Sequence, residues 1–335
     1  MSETAKKSFF SSQKISEFKD FSCIVPAMLF LLAFTYFPVL QLIQISFTNW
    51  NLINDDYQYV GFKNWLWLFK GSGTKYLLNS LKVTFLYSLG ELAITVGGGL
   101  LLALIFNIGV EPGTVKKFSG KTQYSDKKAE KMKKSFSKKS AAFSAMRAIV
   151  FMPKYVAMSS AAVIFLWMLD KEHGVFNYFL GLLGVSPVDW LGNRKIALFS
   201  VLMLTGWRAV GYGMIVYVSA LQGISRDYYE AADIDGASAI QKFFHITLPM
   251  LSPTTLFMFI TTFLASMKVF QSVDILTGGG PYRSTEVLVF QIYKYAMEDF
   301  RMDRAAAVAL MFFVMLLIVT TLTMKISDRN VHYDS

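Results

Sequence analysis

The chain has 335 residues, of which 54% are hydrophobic and 17% are charged, and its formal net charge is +10. Soluble domains contain roughly 25% charged residues. A single water-soluble core could not bury this much apolar surface, so a polytopic membrane protein is the leading class. The one cysteine, Cys23, excludes an internal disulfide and any metal site built from several cysteines. The basic residues lie in loops between apolar runs, which indicates membrane topology rather than a nucleic-acid-binding face.

Six apolar segments reach the roughly 20 residues that a helix needs to cross a bilayer. In chain order they are residues 23–47, 78–107, 146–169, 196–221, 251–276 and 305–324. The first is too long for the apolar core of a signal peptide and lacks a small-residue cleavage site, so we interpret it as an uncleaved span. The sequence therefore predicts an all-α membrane protein with six transmembrane helices in residues 23–324. Residues 1–22 and 325–335 are its terminal segments.

The distribution of Lys and Arg predicts the orientation of these spans. The N-terminus, residues 108–147, residues 223–249 and the C-terminal tail together hold 19 of them, whereas the opposite flanks (48–77, 170–195 and 277–304) hold 10. The positive-inside rule then places both termini in the cytoplasm. Most of the excess comes from a lysine-rich insertion, residues 108–145, which we expect to be solvated. It either contacts anionic lipid headgroups or only sets the topology.

Motifs for catalysis, metal binding and nucleotide binding are incomplete. The stretch VKKFSGKT, residues 115–122, matches the second half of a phosphate-binding loop, but Val115 stands where the first glycine is needed and no strand pattern precedes it. His173, His245 and His332 lie in separate segments without Cys or carboxylate partners at metal-ligand spacing. We therefore predict no catalytic residues, no metal site and no cofactor in this chain.

Residues 223–249, between the fourth and fifth spans, have the pattern of a helix–turn–helix. An apolar stripe at helical spacing is formed by Ala237, Ile240, Phe243 and Phe244. Asp235-Gly236 predicts a turn, because glycine tolerates the left-handed conformation that ends a helix. Leu248-Pro249 predicts the end of the second helix. Periodicity alone would also fit an amphipathic connector lying on the membrane surface.

The residues of this loop resemble the signature of ABC importer permeases, E-A-A-x-x-x-G-(nine residues)-I-x-L-P. The matching positions are Glu230, Ala231, Ala232, Gly236, Ile246, Leu248 and Pro249, with Ala237 to His245 as the nine intervening residues. In that family the loop is the coupling helix, which docks into a groove of a separate ATPase subunit. The resemblance implies that these residues, together with Asp235, couple this chain to the ATPase. ATP is then bound by the partner subunits.

Three other stretches resemble the carbohydrate-uptake branch of these permeases, the MalF- and UgpA-like proteins. They are YVGFKNW (59–65), GWRAVGYGMIVYVSALQGIS (206–225) and DILTGGGPYRSTEVL (274–288). The last resembles an external loop of that branch, so Gly278, Gly279, Gly280 and Pro281 are expected to face an extracytoplasmic binding protein. The lysine-rich insertion departs from the family pattern, as does the lack of a large extracytoplasmic domain. Neither change affects the transport core.

The resemblance also predicts a sugar site on the helices that flank the coupling loop. Aligned on the motifs without a gap, Tyr212, Thr262 and Ser266 fall where the family contacts sugar, and Thr205 and Gln271 are further polar candidates. Ordinary interhelical packing is the alternative for the two hydroxyl residues on the later helix. Snorkelling or pairing with a partner helix is the alternative for Arg208 and Lys268. Glu91, within the second span, is expected to face the bundle interior.

The resemblance as a whole implies a permease subunit of a sugar importer in the bacterial plasma membrane, operating by alternating access. Its expected partners are a second, MalG-like permease, two ABC ATPase subunits, an extracytoplasmic sugar-binding protein and membrane lipids, but no nucleic acid. Two alternatives stay open. One is a non-sugar solute such as glycerol-3-phosphate, and the other is an ion-coupled secondary transporter. The latter needs paired intramembrane carboxylates or inverted repeats, which are not visible. A membrane-bound enzyme would need a nucleophile–base pair, and none is visible.

Overall fold

The computed structural model describes residues 24–54, 56–107 and 142–330, and within these ranges the chain is helical. The only extended pairing among them is an isolated antiparallel bridge between Thr48 and Tyr59. The predicted all-α class is therefore confirmed. The helices are α1 (Ile24–Ser46), α2 (Lys63–Lys70), α3 (Gly73–Phe106), α4 (Ala142–Tyr155), α5 (Met158–Met168), α6 (Val175–Leu182), α7 (Ala197–Gly223), α8 (Arg226–Ile234), α9 (Ala239–Met250), α10 (Ser252–Met267), α11 (Gln271–Thr277), α12 (Leu288–Tyr293) and α13 (Met302–Asn330).

Four of these helices are long and apolar enough to cross a membrane on their own: α1, α3, α7 and α13. Two further crossings are possible if α4 with α5, and α9 with α10, each count as one bent span. The six predicted spans thus correspond to four straight helices and two broken pairs within the described residues. The lysine-rich insertion lies largely outside these residues, as do residues 1–23.

The third predicted span, residues 146–169, was wrong as a continuous helix. The chain bends by 100° between α4 and α5. A short 3₁₀ turn, Met152–Tyr155, contains Pro153, and Val156 and Ala157 then adopt extended backbone angles with ψ of 129° and 138°. Proline lacks the N–H that a continuing helix would use. This break separates Lys154 from the second half of the span.

The fifth predicted span, residues 251–276, was also wrong in its boundaries. Helix α10 ends at Met267, and the chain turns at Lys268 to Phe270 before α11 begins. Phe270 has φ −144° and ψ −68°, which no helix can continue through. The span is therefore interrupted after α10, beginning at the polar residue Lys268. On its N-terminal side, α9 precedes α10, and the two helices are bent by 61°.

Helix α9 ends at Met250, one residue beyond the predicted end at Leu248-Pro249, and α10 begins at Ser252. The turn before the proline, Phe243–Thr247, widens into a π-helical turn. A π turn changes the hydrogen-bond register, and the missing N–H of Pro249 then leaves the helix intact.

The described residues form two compact units, one made of residues 24–74 with 292–313 and the other of 75–291 with 314–330. In the first unit, the hydrogen bonds of Asn64 explain why the YVGFKNW stretch has an asparagine at this position. Its buried side-chain amide donates to the carbonyl oxygens of Ser46 (3.0 Å) and Thr48 (2.7 Å). These bonds satisfy the last carbonyl of α1 and one just beyond it, and they fasten α2 to the end of that helix.

In the second unit, α3 and α7 cross at a contact between two glycines. A Cβ at Gly99 would lie 2.8 Å from the carbonyl carbon of Gly213, and a Cβ at Gly213 would overlap the carbonyl oxygen of Thr95. Small residues allow such close backbone approach between membrane helices. The neighbouring Met214 and Tyr217 are fully buried in the same core. The crossing fixes the position of the polar residues on both helices.

We expect Gly213→Ala to weaken this crossing by about 1–3 kcal/mol, the usual cost of overpacking. Gly97→Ala on α3 is the matched control, because a Cβ there meets nothing within 4 Å. The measurement is the melting temperature of the detergent-solubilised protein, followed by size-exclusion chromatography after heating. Equal melting temperatures for the two variants would show that the contact carries no stability.

Candidate solute cavity and coupling surface

The second unit contains a cavity of about 710 Å³. Its wall combines residues from α3, α7 and α10 with the break regions after α4 and α10. All five residues predicted to contact solute line it, namely Thr205, Tyr212, Thr262, Ser266 and Gln271. The structure thus brings together the residues that the resemblance had selected. Their role in binding solute remains a prediction.

Helical periodicity explains how the wall is built. On α7, Thr205, Arg208 and Tyr212 are separated by three and four residues and so share one face. On α10, Thr262 and Ser266 are four residues apart and are both buried. The end of α10 at Met267 then lets the chain fold along the wall, which is why Gln271 lies in the same cavity.

Glu91 also lines the cavity, and the structure identifies the partner that the sequence could not. The Thr205 hydroxyl donates to Glu91 Oε2 over 2.7 Å, and Tyr87 interacts with the same carboxyl group. Glu91 is 7% exposed, so its predicted inward orientation is confirmed. This hydrogen bond joins α3 to α7 inside the bilayer region, where an unpaired carboxyl group would be costly.

Three cationic side chains line the same cavity: Lys154, Arg208 and Lys268. Arg208 Nη1 lies 3.4 Å from Met158 Sδ, and its Nη2 donates to the Lys154 carbonyl oxygen over 3.3 Å. The Lys154 ammonium lies 5.0 Å from the centre of the Tyr212 ring, within cation–π range. Sequence reasoning missed Lys154 as a wall residue. Its position beside Pro153, where a span breaks, was the available signal.

The helix–turn–helix of residues 223–249 is confirmed as α8 and α9. Gly236 follows α8 with φ +76°, and two backbone bonds close the turn, from Ala237 N to Ala232 O (2.9 Å) and from Gly236 N to Asp233 O (3.2 Å). This is the Schellman arrangement, in which glycine is favoured because it has no Cβ. The positive φ of this turn therefore explains why the signature has a glycine at position 236. Ser238 then begins α9 with a capping box to Gln241.

Side-chain bonds hold α8 and α9 together. Asp233 pairs with Lys242, and the Tyr229 hydroxyl lies 2.9 Å from Thr247 Oγ1. Of the signature residues, Glu230, Ala231, Asp235, Gly236 and Pro249 are exposed, and Ala232, Ile246 and Leu248 are half-buried.

The same element exposes large apolar side chains. Ile234 is 86% exposed, Ile240 71% and Phe244 57%. In the predicted stripe, Ile240 and Phe244 are thus exposed, whereas Ala237 and Phe243 are half-buried. We call the exposed side of α8 and α9, including Ile234, Ile240 and Phe244, the coupling surface. Apolar groups this exposed indicate that a further surface covers them.

The glycine-rich loop after α11 is closely held by its own side chains. Gly278 and Gly279 have φ of +53° and +75°, and a Cβ at Gly279 would lie 2.6 Å from the Phe290 ring. The Thr285 hydroxyl donates to the Gly280 carbonyl oxygen over 2.7 Å and lies 2.8 Å from Thr277 Oγ1. The close spacing of these residues in the sequence thus corresponds to one tight turn. The Gly280–Pro281 peptide bond is cis.

This loop is anchored to the start of α3. Asn79 Nδ2 donates to the Arg283 carbonyl oxygen over 2.9 Å, and the Arg283 guanidinium lies 3.9 Å from the centre of the Tyr76 ring. Arg283 also pairs with Glu286, whose side chain is 2% exposed. Tyr282, at the tip, is 85% exposed. The loop thus presents one exposed aromatic side chain on a fixed backbone.

Residues 131–333 match the sequence profile of the family described as "Binding-protein-dependent transport system inner membrane component". The chain belongs to this family. A related protein is the probable ABC transporter permease YurN of Bacillus subtilis, 30% identical over 304 residues, which cover 90% of this chain and 93% of YurN. Another is the multiple sugar-binding transport system permease MsmF of Streptococcus mutans, 29% identical, with 91% of this chain and 93% of MsmF covered.

The fold of the permease is also similar to a solved structure. A bacterial ABC transporter involved in import of the acidic polysaccharide alginate contains a chain with a TM-score of 0.76 and 22% sequence identity. The match covers 96% of this chain and 99% of that chain. The predicted permease fold is therefore confirmed, and the chain is a multi-pass component of an inner-membrane transport system.

We expect Thr205→Val to destabilise the permease by about 1–3 kcal/mol, because it removes the hydroxyl that donates to the buried Glu91 carboxyl group. Thr205→Ser keeps the donor and serves as the control. The measurement is the melting temperature of both variants in the same detergent. A Val variant as stable as the Ser variant would mean that Glu91 has another sufficient partner.

Proposed function

We propose that this permease carries sugars across the plasma membrane and that Thr205, Tyr212, Thr262, Ser266 and Gln271 contact them. One observation supports this most directly: hydroxyl, amide and aromatic side chains converge on one cavity of about 710 Å³. Hydroxyl and amide groups bond to sugar hydroxyls, and an aromatic ring packs on the apolar face of a sugar ring. The sugar transport named for MsmF supports the same class of solute.

The chain then acts as one subunit of an ATP-driven importer. A second, MalG-like permease subunit completes the pathway, two ABC ATPases bind ATP, and an extracytoplasmic protein delivers the sugar. The coupling surface supports the ATPase contact, since exposed Ile234 and Ile240 on two short helices fit helix-in-groove recognition. The rigid loop carrying Gly278 to Pro281, with exposed Tyr282, fits contact with the external binding protein. Both termini are then cytoplasmic, on the side of the coupling surface.

Alternating access provides the mechanism. ATP binding draws the two coupling surfaces of the paired permeases together, and the subunits rock so that the cavity opens to one side and then to the other. An ion-coupled secondary transporter is less well supported, because Glu91 is the one carboxylate among the residues that line the cavity. The permease family to which the chain belongs also favours transport over catalysis.

Replacing Tyr212, Thr262 or Ser266 by Ala should raise the sugar concentration for half-maximal uptake. A buried hydrogen bond left without its partner costs about 1–3 kcal/mol, which corresponds to roughly five- to 150-fold in affinity. Uptake is measured in vesicles that contain the whole importer, with saturating binding protein. Ser219→Ala, on the exposed side of α7 and away from the cavity, is the control. Unchanged sugar dependence in all three variants would reduce these residues to packing groups.

Gly236→Pro and Glu230→Lys should leave the permease in the membrane but uncouple ATP hydrolysis from uptake. Proline cannot adopt the positive φ of Gly236, and Lys reverses the charge at an exposed position of the coupling surface. Gly184→Pro is the control, because Gly184 has φ +73° and the same type of turn after α6, away from the coupling surface. The measurements are uptake and co-purification of the ATPase. Normal values for both coupling variants would refute the role of this surface.

A further inference from the structure

The charge of the solute cavity is unbalanced. Lys154, Arg208 and Lys268 line it, and Glu91 is the one acidic residue among its lining groups. Within the described residues, none of the three cations forms an ion pair with a carboxylate. If Glu91 offsets one cation, the wall still carries an excess of two positive charges. A neutral sugar would leave this excess positive charge without an acidic counter-group in a membrane protein, which is unfavourable.

Arg208 is the cation whose position is hardest to explain without a ligand. It lies eleven residues into α7, about 17 Å from the start of the helix at 1.5 Å per residue, so its head cannot easily reach a membrane surface. Its guanidinium contacts only a thioether sulfur and one carbonyl oxygen, and the buried Nε has no hydrogen-bond partner. A guanidinium has five N–H donors in a fork that matches carboxylate or phosphate oxygens. Arg208 therefore keeps unused donors at the cavity.

The other two cations occupy the breaks in the spans. Lys154 immediately precedes the 100° bend between α4 and α5, and Lys268 follows the last residue of α10. Met158, the first residue of α5, lines the cavity, and no side chain caps that helix end. The uncapped N-terminal end of α5 adds a partial positive charge to the same wall. Broken helices that point their ends at anionic groups are a known arrangement in transporters.

We propose that the transported solute carries an acidic group, a carboxylate or a phosphate, on a hydroxyl-rich body. The acidic group binds Arg208 and one of the two lysines, and the hydroxyl groups bind the opposite, polar part of the wall. The assignment rests on the proposed sugar function, since it names the class of solute for the same cavity. Uronic acid oligosaccharides and sugar phosphates share this chemistry.

Matched pairs of solutes test the charge separately from the sugar. Affinities are measured by titration calorimetry for the complete importer in nanodiscs, without the binding protein, so that delivery does not select the solute. The probes are trimers of galacturonate, mannuronate and glucuronate, each with its neutral methyl ester, together with glycerol-3-phosphate and glycerol. We expect the acidic member of at least one pair to bind about tenfold more tightly than the neutral member, and the preference to decrease at high salt.

Variants that remove positive charge show which residues cause the preference for the acidic member of each pair. Lys154→Gln combined with Lys268→Gln, and separately Arg208→Gln, should reduce it to threefold or less, because the acidic member of each pair loses more affinity than its neutral ester. Lys195→Gln and Arg194→Gln are the controls, since both residues are exposed before α7 and do not line the cavity. The double Lys variant keeps the test valid if Arg208→Gln fails to assemble.

The outcomes separate the two proposals. Equal affinity within every pair would overturn the acidic solute. A preference that survives both the double Lys variant and Arg208→Gln would overturn its assignment to these cations. Binding of any neutral ester would still support the sugar site. Binding of glycerol-3-phosphate alone would support the anionic site, identify phosphate as its source and contradict the sugar function. A failure of every acidic probe to bind would overturn the inference.

Discussion

Gly99 on α3 and Gly213 on α7 lie against each other without an intervening side chain, so the backbones of the two helices approach as closely as helices can. The hydrogen bond between Glu91 on α3 and Thr205 on α7 depends on that distance. Glu91 is eight residues before Gly99, and Thr205 is eight residues before Gly213, so the two side chains lie about two turns from the crossing. The close approach brings the Thr205 hydroxyl within 2.7 Å of the Glu91 carboxyl group. A wider separation would break this bond and leave the carboxyl group with partners on its own helix, such as Tyr87.

A second constraint follows from the apolar surroundings. Backbone and side-chain polar groups in a membrane need partners, or must face water inside the protein. The two breaks, after Tyr155 and after Met267, both contribute residues to the cavity wall. One cavity is therefore lined by irregular backbone, by charged residues of the spans and by the side chains that we propose to contact solute. Because both breaks lie at this cavity, Lys154 and Lys268 share one wall with residues from the regular helices.

The sequence predicted the helical class, the approximate spans, the helix–turn–helix and the five residues that meet in the cavity. The helical class and the spans follow from long apolar runs. The five cavity residues were predicted from family motifs and not from periodicity. The breaks were missed because a hydropathy run does not register a backbone turn when apolar residues continue beyond it, as at Phe270. The π turn at Phe243–Thr247 was not foreseen because it leaves no compositional sign. The Glu91–Thr205 bond joins residues 114 positions apart, and spacing within one helix cannot reveal it.

The chain path links the coupling surface to the cavity through two short connections. Helix α7, which carries Thr205 and Tyr212, leads through Ile224 and Ser225 directly into α8. Helix α9 leads through a single residue, Leu251, into α10, which carries Thr262 and Ser266. Because α8 and α9 are joined by the Asp233–Lys242 pair and the Tyr229–Thr247 bond, a force on the coupling surface acts on both wall helices together. The buried Leu251 and the hydrogen bond from Tyr217 on α7 to Thr255 on α10 (3.2 Å) resist independent motion at this end. Movement of the coupling surface should therefore turn α7 and α10 as a pair relative to the break after Tyr155. The cavity residues on those helices would then separate from Lys154, which provides a physical basis for release of the proposed solute.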